Sequence, residues 1–236
     1  MEKVTSKAQI DRLGERLRAK EYGEADLRLL DEYRRSFGPA YDHIVEAIQR
    51  AANVVASGRP AKSTSSIIEK LNRESIRLSQ MQDIAGCRVV VDDLRHQDRT
   101  VNAIAEAFSS TTVLDRRAKP SHGYRAVHLI IRHDEKPIEV QVRTALQHVW
   151  AEMSEKCADI IDPAIKYGGG PPEARDALDK AALLIRQMED AEDVLARRGT
   201  GAPMLADELR EIRNKYIEKL RVLLRELGNV EREESS

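Results

Sequence analysis

Aromatic residues are scarce in this chain of 236 residues: one Trp, six Tyr and two Phe make up 4%. With only 12 Gly as well, the composition excludes an all-β sandwich and favours helices. There are two cysteines, Cys87 and Cys157, too few for a disulfide framework, and their sparse use fits a reduced, cytoplasmic setting. No apolar run approaches the roughly 18 residues of a membrane span, and the charged stretch Met1–Lys20 does not read as a signal peptide. The expectation is a soluble intracellular protein with no membrane partner. Net charge is missing too. Thirty-nine Lys+Arg against 40 Asp+Glu leave −1, which excludes a chain that is basic all over, so any hold on a polyanion has to be local.

What is present is helical periodicity at both ends and a change of period between them. Ile10, Leu13 and Leu17 recur at helical spacing from Lys7 to Lys20, and Ala25–Arg35 continues with Leu27, Leu29, Leu30 and Tyr33. After Gly38-Pro39 a third helix is predicted from Ala40 to Ala56, stopped by Ser57-Gly58. Gly86–Val91 is a β-branched run of strand length, followed by a helix from Arg95 to Phe108. Thr111–Leu114, Tyr124–Arg132 and Pro137–Thr144 read as further strands, the last two around a polar turn at His133–Lys136. Ile138, Val140 and Val142 face one way in that last strand; Glu139, Gln141 and Arg143 face the other.

Helix returns over Ala145–Ile161. Tyr167–Pro172, with Gly168-Gly169-Gly170, reads as a flexible connector, since no Lys-Ser/Thr follows to make it a phosphate loop. Two long amphipathic helices are predicted, Glu173–Arg198 and Pro203–Leu227. The second carries Leu205, Leu209, Ile212, Tyr216, Leu220, Leu223 and Leu227 on one stripe, a face for packing on the core, for self-association or for a partner protein. The expected class is α+β. N-terminal helices over 1–57 pack on a core at 58–166, a helical extension covers 173–228, and 229–236 reads as a disordered tail.

Three segments carry polar residues that packing alone does not require. Ser63, Thr64, Ser65 and Ser66 crowd a helix start, where backbone N–H groups hold an anion, and Lys62, Lys70 and Arg73 add positive charge. The plainer reading is a capped helix with a solvated basic face. Asp83, at the mouth of the strand Gly86–Asp92, is a metal ligand or a turn residue. Glu139, Gln141 and Arg143, with Tyr124 and His128 sharing a face of the neighbouring strand, line either a polar pocket or a solvated edge. In a pocket, a base would stack on Tyr124 while a carboxylate and a metal handle a phosphoryl group.

Taken in order, these segments resemble a known family. Lys62-Ser63-x-x-Ser66-Ile67-x-x-Lys70-Leu71-x-Arg73, Asp83-Ile84-Ala85-Gly86-Cys87-Arg88, Lys119-Pro120-Ser121-His122-Gly123-Tyr124-Arg125-Ala126-Val127-His128 and Glu139-Val140-Gln141-Val142-Arg143-Thr144 are similar to the motifs of the synthetase domain of the RelA/SpoT superfamily, specifically of its small single-domain alarmone synthetases. Trp150-Ala151-Glu152 falls where the following helix usually carries such residues. The resemblance covers roughly Ala40–Lys166. It implies a nucleotidyltransferase-like fold, a mixed five-stranded sheet flanked by helices.

The resemblance also implies a reaction: transfer of the β,γ-pyrophosphate of ATP to the ribose 3′-OH of GTP or GDP, making (p)ppGpp and AMP. Asp83 and Glu139 would hold Mg²⁺, a hard cation suited to carboxylates, and Glu139 would take the hydroxyl proton. Arg59 and Arg88 would sandwich adenine, while Lys62, Ser63, Ser66, Lys70 and Arg73 hold the triphosphate. Lys119, Tyr124, Arg125, His128, Gln141 and Arg143 would bind the acceptor. Pro60 stands where the family usually has Arg, and His122 where Asn is more common. The run Asp115-Arg116-Arg117 is similar to one in compact toxins that pyrophosphorylate the 3′ end of tRNA, so a toxin with an antitoxin partner is the alternative. A catalytically inactive nucleotide-binding module is the second. The near-neutral total hides a cancellation: Arg59–Arg73 carries a net +3 and Val113–Arg132 a net +4, so the remainder sums to −8.

Overall fold

The computed structural model describes residues 6–197 and 203–234. Three helices open it, α1 (Lys7–Ala19), α2 (Glu24–Arg35) and α3 (Gly38–Ala52). Ser6 and Gln9 form a capping box that satisfies the first N–H groups of α1. Asn53, with φ 51°, ends α3 in the left-handed conformation, earlier than the helix to Ala56 read from sequence. The next residues form strand β1 (Ala56–Arg59). Gly58 is there for close approach: a Cβ on it would lie 2.4 Å from the Gly86 carbonyl oxygen. The glycine that reads as a helix stop is a requirement of strand pairing.

The chain continues as α4 (Thr64–Arg73), β2 (Ala85–Val91), α5 (Leu94–Ala107), β3 (Thr111–Asp115), β4 (Val127–His133), β5 (Lys136–Thr144), α6 (Ala145–Ile160), α7 (Pro172–Arg197) and α8 (Pro203–Glu234). Single 3₁₀ turns lie at Leu78–Gln80 and Pro163–Tyr167. The five strands form one mixed sheet in the order β1-β2-β5-β4-β3, flanked by helices, the α+β arrangement expected. β1 is antiparallel to β2, with Ser57 opposite Arg88 and Arg59 opposite Gly86. Asp134 and Glu135, at φ 47° and 61°, make the two-residue left-handed turn that suits the twist of a β-hairpin between β4 and β5.

The chain divides into two compact units. The first comprises Met1–Val89, Ala103–Val113 and His128–Gln141. Its interior holds Ile10, Leu13, Leu17, Leu30, Ile44 and Ile48 from α1–α3, Phe37 from the link between α2 and α3, Ile67 and Leu71 from α4, and Cys87 and Val89 from β2. Helix α1 approaches the Leu78–Gln80 turn so closely that a Cβ on Gly14 would sit 2.8 Å from Leu78 Cβ. Arg18 donates to the carbonyls of Leu71 (2.8 Å) and Ile76 (2.6 Å), which satisfies backbone groups at the end of α4. Residues alternate along β2: Ala85, Cys87, Val89 and Val91 are buried, while Gly86, Arg88 and Val90 face the more open side. The same alternation in β5 buries Ile138 and Val140 and leaves Glu139 and Gln141 partly exposed.

The second unit comprises Val90–Asn102, Leu114–Val127 and Val142–Ser236. Leu146, Trp150, Ala158, Ile165, Leu178, Ile185, Met188 and Ile217 form its core, and the Trp150 indole N–H donates to the Leu178 carbonyl at 3.0 Å. The glycine segment is a built turn, not the flexible connector expected. Gly168 and Gly170 have φ 77° and 80°, and a Cβ would lie 2.2 Å from His122 Nδ1 at Gly168, 2.8 Å from Ala164 Cβ at Gly169 and 2.7 Å from Ile165 Cγ1 at Gly170.

On α8 the buried residues are Arg213, Ile217 and Leu220, with Tyr216 packed against the core; Tyr216 and Leu220 belong to the stripe read off the sequence, and Arg213 and Ile217 each lie one position beyond it. Arg213 pairs with Glu192 at 3.2 Å and donates to the Asp92 carbonyl, so a charged residue occupies a packing position that an apolar pattern cannot show. Leu205, Ile212 and Leu223 of the expected stripe are about half exposed; the side chain of Leu227 lies outside those described. Helix α8 runs to Glu234 through most of the expected disordered tail, whose last two residues lie outside the described ones. Among the described residues no helix is long and apolar enough to cross a membrane.

Candidate functional site

In the first unit, Lys62 is fixed before its side chain does anything. Its N–H donates to the Ile84 carbonyl at 2.6 Å, and its carbonyl accepts from Arg34 Nε of α2 at 2.6 Å. The Lys62 ammonium then meets Asp83 Oδ2 at 2.7 Å, and the Lys70 ammonium, reaching from α4, meets Asp83 Oδ1 at 2.9 Å. Burial pulls the Asp83 carboxyl upward, but the Lys62 hydrogen bond and the two ammonium charges outweigh it, so its pKa lies below the ordinary carboxylate value. Ser63 caps α4 by accepting from the Ser66 N–H at 3.2 Å, and its hydroxyl donates to Ser66 Oγ at 2.8 Å. Arg73 sits between Glu69 (3.6 Å) and Glu74 (3.0 Å).

The sheet supplies the second carboxylate. Glu139 of β5 accepts from Gln141 Nε2 at 2.7 Å, and its Oε1 lies 2.9 Å from His128 Nδ1 of β4. Burial again raises the carboxyl, and His128 and Gln141 more than reverse it, so Glu139 also lies below the usual range. Asp83 is close enough for its charge to be felt there. The pairing of Arg59 with Gly86 and of Ser57 with Arg88 puts Arg59 and Arg88 on one face of the β1–β2 ladder. A Cβ built on Gly86 would sit 3.5 Å from Glu139 Cβ, so Glu139 lies on that face too.

These side chains suit a hard cation. Asp83 and Glu139 are carboxylates, oxygen ligands of the kind such a cation takes, although among the described residues no group of three or more His, Cys, Asp or Glu is gathered to hold a metal. Beneath them, burial pushes the Cys87 thiol up to about 12, helped by the Glu139 charge.

The second unit holds the other candidates. Strand β4 begins at Val127, not Tyr124. Tyr124 closes a tight turn by exchanging backbone bonds with Ser121, with His122 and Gly123 both at positive φ. Tyr124 and His128 therefore do not share a strand face. Arg143 Nη2 donates to Tyr124 Oη at 3.1 Å and its guanidinium lies 5.1 Å from the ring centroid, a cation–π contact. Lys119 is exposed.

Arg125, expected among the acceptor residues, is turned inward: it is 7% exposed and makes an ion pair at 2.5 Å with Glu189 of α7, the partner carboxylate that a buried guanidinium needs. Arg117 is likewise engaged, 2.7 Å from Asp98 and 2.7 Å from Asp115. The sequence reading missed Glu189. Its spacing from Leu178, Ile185 and Met188 puts a carboxylate on the buried face of α7, and an acid on an apolar stripe was the available signal. Burial holds that carboxyl above the ordinary value, against the pull of Arg125, Thr144 and Gln147.

Residues 58–158 match the family model described as the region found in RelA / SpoT proteins. Over this segment the chain is similar to the RelA/SpoT superfamily. An uncharacterized protein of Mycobacterium tuberculosis is 36% identical over 152 residues, covering 62% of this chain and 55% of that one. A probable chloroplastic GTP diphosphokinase of Arabidopsis thaliana is 30% identical over 102 residues, 42% of this chain and 14% of that protein. The chain thus spans about half the length of its mycobacterial relative. Small alarmone synthetase 1 from Bacillus subtilis, in a crystal structure bound to its product pppGpp, superposes with a TM-score of 0.54 at 21% identity, over 75% of this chain and 98% of that one. That likeness carries the fold alone. The RelA/SpoT region takes in Asp83, Glu139 and the four motifs, and ends before α7.

Proposed function

We propose that the protein transfers the β,γ-pyrophosphate of ATP to the ribose 3′-OH of GDP or GTP. The observation that carries this reading is the pair of ionised carboxylates in the first unit, one braced by two lysines and one by a histidine and a glutamine. Asp83 and Glu139 would hold Mg²⁺, in keeping with the general dependence of RelA/SpoT enzymes on a divalent metal; the ion's chemistry is charge neutralisation on the phosphates. Lys62 and Lys70 bind phosphate oxygens and stabilise charge at the β-phosphorus. Arg59 and Arg88, flat guanidinium groups on one sheet face, hold the adenine.

In the reaction the 3′-oxygen of the acceptor forms a bond to the β-phosphorus. The bond from that phosphorus to the oxygen bridging it to the α-phosphate breaks, and AMP leaves with that oxygen. The hydroxyl proton passes to the Glu139 carboxylate, which His128 and Gln141 orient. Tyr124 and Arg143 receive the acceptor, the ring by stacking and the guanidinium by charge. The engagement of Arg117 with Asp98 and Asp115 favours a guanine nucleotide over the tRNA 3′ end, since it removes one cation from the basic run that tRNA would need.

The test is transfer of label from γ-labelled ATP with Mg²⁺, offering GDP, GTP and deacylated tRNA separately. Label on the guanosine nucleotides alone is expected. Label on tRNA alone would assign the toxin activity instead, and ATP binding without transfer to any acceptor would leave an inactive binding module.

A further inference from the structure

One carboxylate of α7 touches both segments that carry the proposed acceptor residues. Glu189 is 2% exposed. Its Oε2 accepts from Arg125 Nη1 at 2.5 Å; its Oε1 accepts from Thr144 Oγ1 at 2.5 Å and from Gln147 Nε2 at 2.9 Å. Arg125 directly follows Tyr124, and Thr144 directly follows Arg143. Tyr124 and Arg143 are themselves in contact at 3.1 Å. A single side chain thus grips the neighbour of each member of the pair.

The surroundings leave that grip little slack. Thr144 also caps α6, accepting from the Gln147 N–H at 3.1 Å. Gln97 Nε2 donates to Gln147 Oε1 at 2.9 Å and to the Val142 carbonyl at 2.7 Å, so the carboxylate sits inside a connected polar network. The Tyr124 segment needs such a hold, because it precedes β4 and has no place in the strand ladder. Its other seat is steric. A Cβ on Gly123 would lie 2.6 Å from the Trp150 ring, so this turn rests directly on α6.

We propose that Glu189 is a positioning residue for the acceptor: from α7, beyond the RelA/SpoT region, it fixes the separation of Tyr124 and Arg143 without touching the nucleotide. The proposal rests on reading Tyr124 and Arg143 as acceptor residues. A buried ion pair that merely stabilised the fold would affect both nucleotides alike; a positioning residue affects one.

Trp150 is the one tryptophan in the chain and is 3% exposed beneath Gly123, so its quenching by acrylamide reports the seating of the turn without any nucleotide. The experiment compares wild type, Glu189→Ala and Glu189→Gln in the full chain by that quenching and by calorimetry with GDP and with a non-hydrolysable ATP analogue. Glu189→Ala is expected to raise the quenching constant about twofold or more, weaken GDP about tenfold and change the ATP analogue by less than about twofold. Glu189→Gln keeps an acceptor for Thr144 and Gln147 but no charge for Arg125, and should fall between. Where Glu189→Ala does not fold, Arg125→Met with Glu189→Leu removes both charges, keeps apolar volume and should give the same split.

The proposal is overturned if both nucleotides weaken together, if neither does, or if Trp150 stays as shielded as in wild type. Should wild type bind the ATP analogue but no GDP, the acceptor assignment fails. The quenching result alone then decides whether Glu189 seats the turn.

Discussion

Asp83→Asn separates two jobs of one residue. Asp83 neutralises Lys62 and Lys70 in the structure, and it is proposed to ligate a cation. A pair of unit charges 4 Å apart at an effective dielectric constant of 20 attracts by about 4 kcal/mol before desolvation. Removing one partner of a buried pair costs about 3–5 kcal/mol, whereas an exposed pair is worth about 0–1. The side chains here are 15–20% exposed, so the loss should fall between those limits, about 1–3 kcal/mol. At about 2–4 °C per kcal/mol for a chain of this size, the melting temperature drops by roughly 2–12 °C.

The pH dependence fixes the cause. The pKa of Asp83 is lowered in the fold, below an unfolded value of about 3.9. Its stabilisation is therefore complete above that value and is lost as pH falls through the folded pKa. The gap between wild type and Asp83→Asn should be flat at pH values above the unfolded one and close as pH falls below it. Calorimetry in EDTA supplies the second half: with no carboxylate competing for the two ammonium groups, Asp83→Asn should bind ATP several-fold more tightly than wild type. With Mg²⁺, the same variant should retain less than about 1% of the transfer rate. Weaker ATP binding in EDTA would refute Lys62 and Lys70 as the phosphate site, and retained transfer would refute Asp83 as a cation ligand.

Glu139→Gln should cut transfer by about 10²–10⁴-fold with ATP binding retained; an active variant in the label-transfer assay would remove its proposed role. Gly168→Ala puts a methyl group at φ 77° and within 2.2 Å of the His122 ring, so urea unfolding should show a loss above about 1 kcal/mol and the acceptor KM should rise, while an unchanged KM would uncouple this turn from the acceptor. The buried Cys87 thiol, pushed up to about 12, should resist iodoacetamide at pH 8 until the chain unfolds, whereas the half-exposed Cys157 is modified first; equal rates by mass spectrometry would contradict the packing. Arg117→Ala should cost about 1–2 kcal/mol through its two carboxylate partners, and Arg116→Ala, at an exposed position, no more than about 0.5.

The half of the site carried by regular elements was legible in the sequence. Glu139 and Gln141 show themselves because β5 is a half-buried strand with period two, and the Ser-rich start of α4 shows itself because an N-cap has few chemical solutions. The Tyr124 turn was not legible, because its strand-like composition continues without a break into β4, and only the positive φ of His122 and Gly123 ends the ladder. Arg125 and Glu189 lie 64 residues apart, and no local pattern announces a partner at that range. β1 was lost for a different reason: four residues that include a glycine carry too little periodicity to outvote the end of the helix before them.

That long-range pairing also changes what the segment charges mean. The net +3 of Arg59–Arg73 and the net +4 of Val113–Arg132 read as positive charge waiting for polyanions, yet the fold gives most of those cations an internal acid. Asp83 holds Lys62 and Lys70, Glu69 and Glu74 flank Arg73, and Glu189 takes Arg125. Arg116, Lys119 and Arg132 remain exposed in the second segment, a narrow footing for a folded RNA that would be gripped by many phosphates. In the first segment the proposed reading makes the arrangement reversible: the carboxylate that pairs with two ammonium groups would serve a metal cation instead. Were Asp83 to turn to a cation, Lys62 and Lys70 would be released to phosphate oxygens, so each ligand would improve the site for the other, and such coupling is reciprocal. On that reading a chain of net charge −1 would present two lysines to a triphosphate only when the metal arrives with it.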